Sequence, residues 1–125
     1  MDIKVNEYVR TKFGYIAKLE SIYISEYTGE TIYECDSTVY MDYGDPVRYF
    51  EGKDELGKFV VKHSFDIIDL IEYGDYINEE FVGSVDYEKK TVEIGEGWTV
   101  KHNEIENVVT KETFDSIKYE VIKWI

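Results

Sequence analysis

Apolar side chains along the chain recur mostly at every second position, in short runs broken by glycine and by acidic or asparagine-containing turns. That is the period of half-buried strands, since successive side chains on a strand point to opposite faces. Val5, Val9, Thr11 and Phe13 make a first, imperfect alternation. Gly14 follows, where positive φ is cheap, and Tyr15, Ala17 and Leu19 then alternate against Ile16, Lys18 and Glu20, which predicts a hairpin centred on Phe13 and Gly14. Ile22, Tyr23 and Ile24 prolong the apolar signal but shift its phase, as a bulge or a bend would.

Thr28 and Gly29 mark a turn into Thr31 to Tyr43. There Tyr33 and Cys35 share one parity and Val39, Met41 and Tyr43 another run, with Asp36 and Ser37 interrupting. Two short strands or one irregular strand fit equally. Tyr43 to Pro46 reads as a turn, Val47 to Phe50 as a short strand, Glu51 to Gly57 as an exposed loop or a single helical turn, and Phe59 to Lys62 as strand again.

At the joint from Val60 to Asn78, Ser64 is placed to cap a short helix and Asp66 to favour its positive end. Phe65, Ile67, Ile68, Leu70 and Ile71 would fill a seam, and Gly74 would stop the helix. Beyond it Phe81 to Tyr87, Val92 with Ile94, and Trp98 with Val100 read as strands, separated by turns at Glu88 to Lys90 and Gly95 to Gly97. A short strand at Ile105, Val108 and Val109, a brief helix from Thr110 through Phe114 and Ile117, and a strand over Lys118 to Ile125 complete the chain.

The expected fold is mainly β, a small antiparallel β-barrel-like or meander architecture in two strand-rich halves joined by a short helix, with a second short helix before the C-terminal strand. The halves are residues 1–62 and 76–125, with 63–75 as the connector, packed as one compact unit. Val5 to Leu19 and Tyr73 to Val85 echo one another, each with an acid, then a Tyr and a β-branched residue. Shared strand grammar or two small modules opening with the same hairpin would both produce this.

Charge changes the picture most: 27 acidic residues face 14 basic ones, a formal charge of -13, which opposes nucleic acid and anionic lipid and favours a basic partner. Aromatic residues make up 16% of the chain, twelve of them tyrosines, which suits strands and interfaces alike. One cysteine, Cys35, excludes an intrachain disulfide and fits a reducing compartment, and the absence of an apolar run or charged leader points to the cytoplasm.

Candidate chemistry is sparse. His63 and His102 are far apart in sequence, Cys35 lacks a CxxC partner, and Asp42, Asp45 and Glu51 lack a calcium-loop pattern, so no metal site is expected. His63 beside Ser64 is not a triad, and no acid pair stands out as catalytic among so many carboxylates, so no catalytic residue is assigned. Neither the dinucleotide fingerprint nor the Walker pattern occurs, and no cofactor is expected. A local basic patch of Arg10 and Lys12 with Tyr8 is the candidate site for a small ligand such as a signalling nucleotide. The stronger feature is Asp66 to Glu96, where ten acids face only Lys89 and Lys90. Within it Asp66, Asp69, Glu72, Tyr73, Asp75, Tyr76, Glu79, Glu80, Asp86 and Tyr87 are the candidate partner-binding residues, aromatics anchoring and carboxylates steering.

Tyr8-Val9-Arg10-Thr11-Lys12, Val61-Lys62-His63-Ser64 running into Ile67-Ile68-Asp69-Leu70-Ile71-Glu72, Gly74-Asp75-Tyr76-Ile77-Asn78, and Val109-Thr110-Lys111-Glu112 with Phe114 resemble a group of small uncharacterised acidic proteins from phages and prophages of Clostridium-like bacteria. The resemblance covers most of the chain and departs at Asn78-Glu79-Glu80-Phe81, where the group is expected to have a Gly-containing turn. It implies a role related to anti-CRISPR or other anti-defence proteins in an infected or lysogenic host. The expected function is therefore a non-enzymatic acidic binder that occludes a basic host protein, by surface or nucleic-acid mimicry. A homo-oligomeric assembly protein, a homodimer for example, and a signalling-nucleotide sponge are the alternatives.

Overall fold

The computed structural model describes residues 2–41, 46–113 and 119–121. Strand accounts for 50% of the chain and helix for 14%, so the fold is mainly β, as its alternation requires. Every strand pairing is antiparallel, and among the described residues neither sheet closes into a barrel, which leaves the meander as the form taken. The chain divides into two compact units, Met1–Phe65 and Asp66–Ile125.

In the first unit β1 (Tyr8–Thr11), β2 (Ile16–Ile24), β3 (Thr31–Tyr40) and β4 (Pro46–Glu51) form a meander, α1 (Gly52–Phe59) follows, and β5 (Val60–Ser64) returns to pair with β1. The sheet order is β4-β3-β2-β1-β5, so β1 is an interior strand and is buried along its whole length. Gly14, at φ +88°, turns the first hairpin, and its amide donates to the Thr11 carbonyl at 2.9 Å. The phase shift expected at Ile22 is a bulge between Leu19 and Ser21. The Asp36–Ser37 interruption lies inside one irregular strand: Asp36 accepts the Lys18 amide at 2.8 Å, and the Ser37 hydroxyl donates to the Ile16 carbonyl at 3.3 Å. Val9, Ala17, Leu19, Cys35, Val39 and Phe50 centre the core, and Leu56 and Phe59 of α1 close onto it.

That helix differs from the expected loop or single turn over Glu51 to Gly57. Gly57, inside the helix, weakens it by about 1 kcal/mol, but burial of Leu56 and Phe59 contributes about 1.5–3 kcal/mol apiece and outweighs it. Asp54 and Glu55 in the first turn and Lys58 in the last also suit the helix dipole.

The second unit opens with a single 3-10 turn at Ile67–Leu70, then builds β6 (Tyr76–Ile77), β7 (Glu80–Asp86), β8 (Thr91–Ile94), β9 (Trp98–Lys101), a 3-10 turn at His102–Glu104, β10 (Asn107–Val109) and β11 (Tyr119–Glu120). The sheet order is β11-β10-β6-β7-β8-β9. The connector corrects the expected capped helix. Asp66, not Ser64, is the cap, its carboxylate accepting the Ile68 amide at 3.0 Å, because an Asx side chain reaches the amide two residues on. Ser64 remains in the ladder opposite Tyr8, and Phe65 is largely exposed, whereas Ile67, Ile68, Leu70 and Ile71 are buried. The turn of Tyr43 to Asp45, the helix through Phe114 and Ile117, and the C-terminal strand outside 119–121 lie outside the described residues.

The two units share a plan. Each is a four-strand meander, a short helical segment, and a fifth strand that pairs back onto the first. They also open identically. Asn6 (φ +77°) and Gly74 (φ +94°) each precede a buried acid, Glu7 or Asp75. Each acid accepts the amide three residues before it: Lys4 to Glu7 at 2.6 Å, Glu72 to Asp75 at 2.7 Å. The backbone of each acid then pairs with the second strand: Leu19 N–H donates to the Glu7 carbonyl at 2.9 Å, and Val82 N–H to the Asp75 carbonyl at 2.8 Å. The echo in sequence is thus one structural motif used twice.

Candidate functional site

Four of the predicted partner-binding acids are engaged inside the second unit. His102 Nδ1 lies 2.9 Å from the Asp66 carboxylate, Lys90 Nζ pairs with Asp69, and Lys111 Nζ sits 2.7 Å from Glu72. Asp75 is fully buried and accepts the backbone amides of Glu72 at 2.7 Å and Lys111 at 3.0 Å. It fastens the turn before β6 to the segment after β10 and presents nothing to a partner. Asp86 is exposed, but its Oδ1 accepts the Glu88 and Lys89 amides and shapes the β7–β8 turn. The Tyr87 hydroxyl donates to the Ile71 carbonyl at 2.6 Å while part of its ring stays exposed.

Tyr73, Tyr76, Glu79 and Glu80 remain as a surface. Tyr73 is 67% exposed and meets Phe81 edge to face with ring centroids 5.3 Å apart, and Tyr76 meets the same ring at 5.7 Å. Tyr76 and Phe81 are directly opposed in the β6–β7 ladder, which places their rings on one face. Glu80 lies on the next ladder rung and is exposed, as is Glu79. Phe81 is the central ring of this cluster and was absent from the expected set. Alternation along β7 did not reveal it, because Phe81 shares its parity with Val85 and Tyr87 and only the structure shows that Val82, on the other parity, is the residue buried.

The expected ligand patch is not assembled. Tyr8 and Arg10 are buried in β1, because that strand is interior to its sheet, whereas Lys12 is exposed in the turn and lies over the Phe13 and Phe59 rings at 5.3 and 5.0 Å. His63 pairs through Nδ1 with Glu7 at 2.8 Å, a structural contact between β5 and the start of β1. Cys35 is buried, and burial, with the neighbouring Asp36 charge adding, pushes its thiol up to about 12, which disfavours the thiolate at neutral pH.

Sequence reasoning also passed over a cleft in the first unit. Across β2, β3 and β4 the residues Tyr23, Ile32 and Glu51 are aligned in register, as are Ser21, Glu34 and Tyr49 on the same face. Of these, Tyr23, Ile32, Tyr49 and Glu51 border, with the β2–β3 turn, a cleft of about 590 Å³. Ile32 is buried beneath it, Tyr23 and Tyr49 are about half exposed, and Tyr27 in the turn is 98% exposed. Glu51 also lines a neighbouring cleft of about 460 Å³ that contains Glu30, Asp54 and Glu55. Burial chiefly, with the Glu51 charge adding, holds the Glu55 carboxyl above its ordinary range.

No family model and no solved structure matches the chain. It is similar to an uncharacterized GTP-binding protein of Methanocaldococcus jannaschii, 28% identical over 119 residues, which is 86% of this chain and 29% of that protein. The chain therefore spans less than a third of the relative's length. In this chain Gly52 to Lys58 has the spacing of a phosphate-binding loop as far as its lysine, but Phe59 stands where serine or threonine would be needed for magnesium. The run is folded as α1 and faces the acidic cleft, an arrangement that neither leaves a loop of free amides nor attracts phosphate. No helix among the described residues is long and apolar enough to cross a membrane.

Proposed function

We propose that the chain is a non-enzymatic binding protein that occludes a basic protein partner, docking through the Tyr73, Tyr76 and Phe81 cluster with Glu79 and Glu80 beside it. The observation that carries this reading is the cluster itself: three rings stacked edge to face at the surface, with Tyr73 67% exposed. Exposed aromatics backed by rigid strands supply contact area at low entropic cost and are enriched among residues that dominate binding energy. The net charge of -13 would speed encounter with a basic surface and reject acidic ones. Together with the resemblance to phage and prophage proteins, this supports an inhibitor of a bacterial defence or nucleic-acid-processing complex, acting in the cytoplasm of the host. The GTP-binding description of the archaeal relative is not carried over, because the run nearest to a phosphate loop is helical and acid-flanked.

The test is affinity capture from a host lysate. Capture of a basic protein, weakened about tenfold or more by Phe81→Ala and by Glu80→Lys, is the expected result. Equal capture by both variants removes this surface from consideration, and a concentration-independent dimer that captures nothing by light scattering would favour the assembly alternative.

A further inference from the structure

The β2–β3–β4 face of the first unit carries an aromatic cleft that the fold does not use. Tyr27 shows why. The turn that bears it is tightly built: the Ser25 amide donates to the Glu30 carbonyl and the Gly29 amide to the Ser25 carbonyl, both at 2.9 Å, while Ser25 Oγ accepts from the Tyr27 amide at 3.2 Å. A rigid turn thus holds out a large ring that is 98% exposed. Leaving such a ring in water forgoes the burial that stabilises a large apolar side chain in a core. Tyr23 and Tyr49 flank the same space above Ile32, and its volume of about 590 Å³ falls within the range of about 300–1,000 Å³ typical of ligand sites.

The electrostatics select the occupant. Aromatic faces carry negative quadrupole density and attract a cation placed over them. Glu26 and Glu51 add formal negative charge at the border of the cleft, and Glu51 joins it to the second cleft, where Glu30, Asp54 and Glu55 outnumber Lys53. An anion or a nucleic-acid backbone would be repelled there, whereas a lysine or arginine side chain would meet rings along its methylene stem and carboxylates at its head.

We propose that this cleft is a second recognition site, which takes a lysine or arginine side chain from an exposed basic segment of a partner protein, with the adjoining acidic cleft receiving a neighbouring basic residue. The site rests on the reading of the chain as a binder of basic protein, but lies in the other unit from the Phe81 cluster and is testable without the natural partner.

The probe is a short blocked peptide of alternating lysine and leucine, titrated into the full-length, nitrogen-15-labelled protein and followed by NMR. Saturable shifts at the Tyr23, Tyr27 and Tyr49 amides are expected. Tyr49→Ala and Tyr27→Ala should each weaken the peptide by about fivefold, and Glu51→Gln by about threefold, the last effect fading at about 1 M salt. Val61→Ala, exposed on β5 at the opposite edge of the sheet, should leave the cleft shifts unchanged. Three results overturn the site: no shifts at millimolar peptide, equal binding of a glutamine–leucine peptide, or shifts confined to the Tyr73–Phe81 face. Peptide shifts in the cleft together with lysate capture insensitive to Phe81→Ala would sink the proposed docking surface and leave this site standing.

Discussion

Replacing Asp75 should be among the most damaging single changes to the second unit, although it lies in the most acidic part of the chain. The carboxylate is fully buried, with Oδ2 accepting the Glu72 amide at 2.7 Å and Oδ1 the Lys111 amide at 3.0 Å. A hydrogen bond to a charged group contributes about 1.5–3 kcal/mol. Asp75→Ala deletes both and leaves two partly buried donors without that acceptor, so a loss of about 3–5 kcal/mol is expected. Asp75→Asn keeps one carbonyl acceptor but turns an NH₂ toward the other amide, for a loss of about 2–3 kcal/mol. Against a total stability of about 5–15 kcal/mol for a small protein, the alanine variant would be near the limit of folding. Urea unfolding followed by far-ultraviolet circular dichroism gives the two losses, and hydrogen exchange gives their location, with the Glu72 and Lys111 amides accelerating first. If both variants lie within about 0.5 kcal/mol of the parent, or if those two amides exchange no faster, Asp75 is not the fastener described above.

The equivalent acid of the first unit should behave in parallel: Glu7→Ala removes the acceptor of the Lys4 amide and the partner of His63, and is expected to cost about 2–4 kcal/mol in urea unfolding. Tyr87→Phe should cost about 1 kcal/mol by the same measurement, since it deletes only the bond to the Ile71 carbonyl. Gly52→Ala should cost about 1–2 kcal/mol, because the residue sits at φ +85° and an added Cβ would fall 2.8 Å from Glu30 Oε2. The Cys35 thiol, raised from 9.0 to about 12 by burial, should react with a disulfide reagent only as fast as the native state opens. Because the folded protein holds that proton more tightly than the unfolded chain, the associated stability is complete below about pH 9 and declines as pH climbs toward 12. A thiol that labels rapidly in the native protein would contradict its placement in β3.

The strands were legible because alternation and turn chemistry are local. The Gly14 hairpin, the phase shift after Leu19 and the Gly95–Gly97 turn all follow from residues within a few positions of one another. The helical segments were not, because their stability comes from contacts distant in sequence. Leu56 and Phe59 look like isolated apolar residues in a glycine-containing polar run until the sheet core supplies something to pack against. The connector failed for a related reason: Ser64 and Asp66 are both competent caps, and only the pairing of Ser64 with Tyr8 in the ladder decides between them. Within the candidate site, residue type did not reveal facing. Tyr33 is 4% exposed and Tyr27 98%, six positions apart, and the difference is a strand interior against a turn tip.

The acids carry the same ambiguity, and the repeated opening motif resolves it for two of them. Glu7 and Asp75 follow a residue in the left-handed region and turn their carboxylates back onto the amide three positions earlier, so in both units the acid is a substitute for a backbone acceptor rather than a surface charge. His102, Lys90 and Lys111 pair with Asp66, Asp69 and Glu72. Charge counted along the sequence therefore overstates what the 66–96 stretch can offer a partner. Carboxylates that border exposed rings are a different matter, because there the desolvation of an approaching cation is compensated by both charge and aromatic faces. For the proposed binding of a basic partner, that criterion favours two small aromatic surfaces over the acid-rich run as a whole, Tyr73–Tyr76–Phe81 in the second unit and Tyr23–Tyr27–Tyr49 in the first.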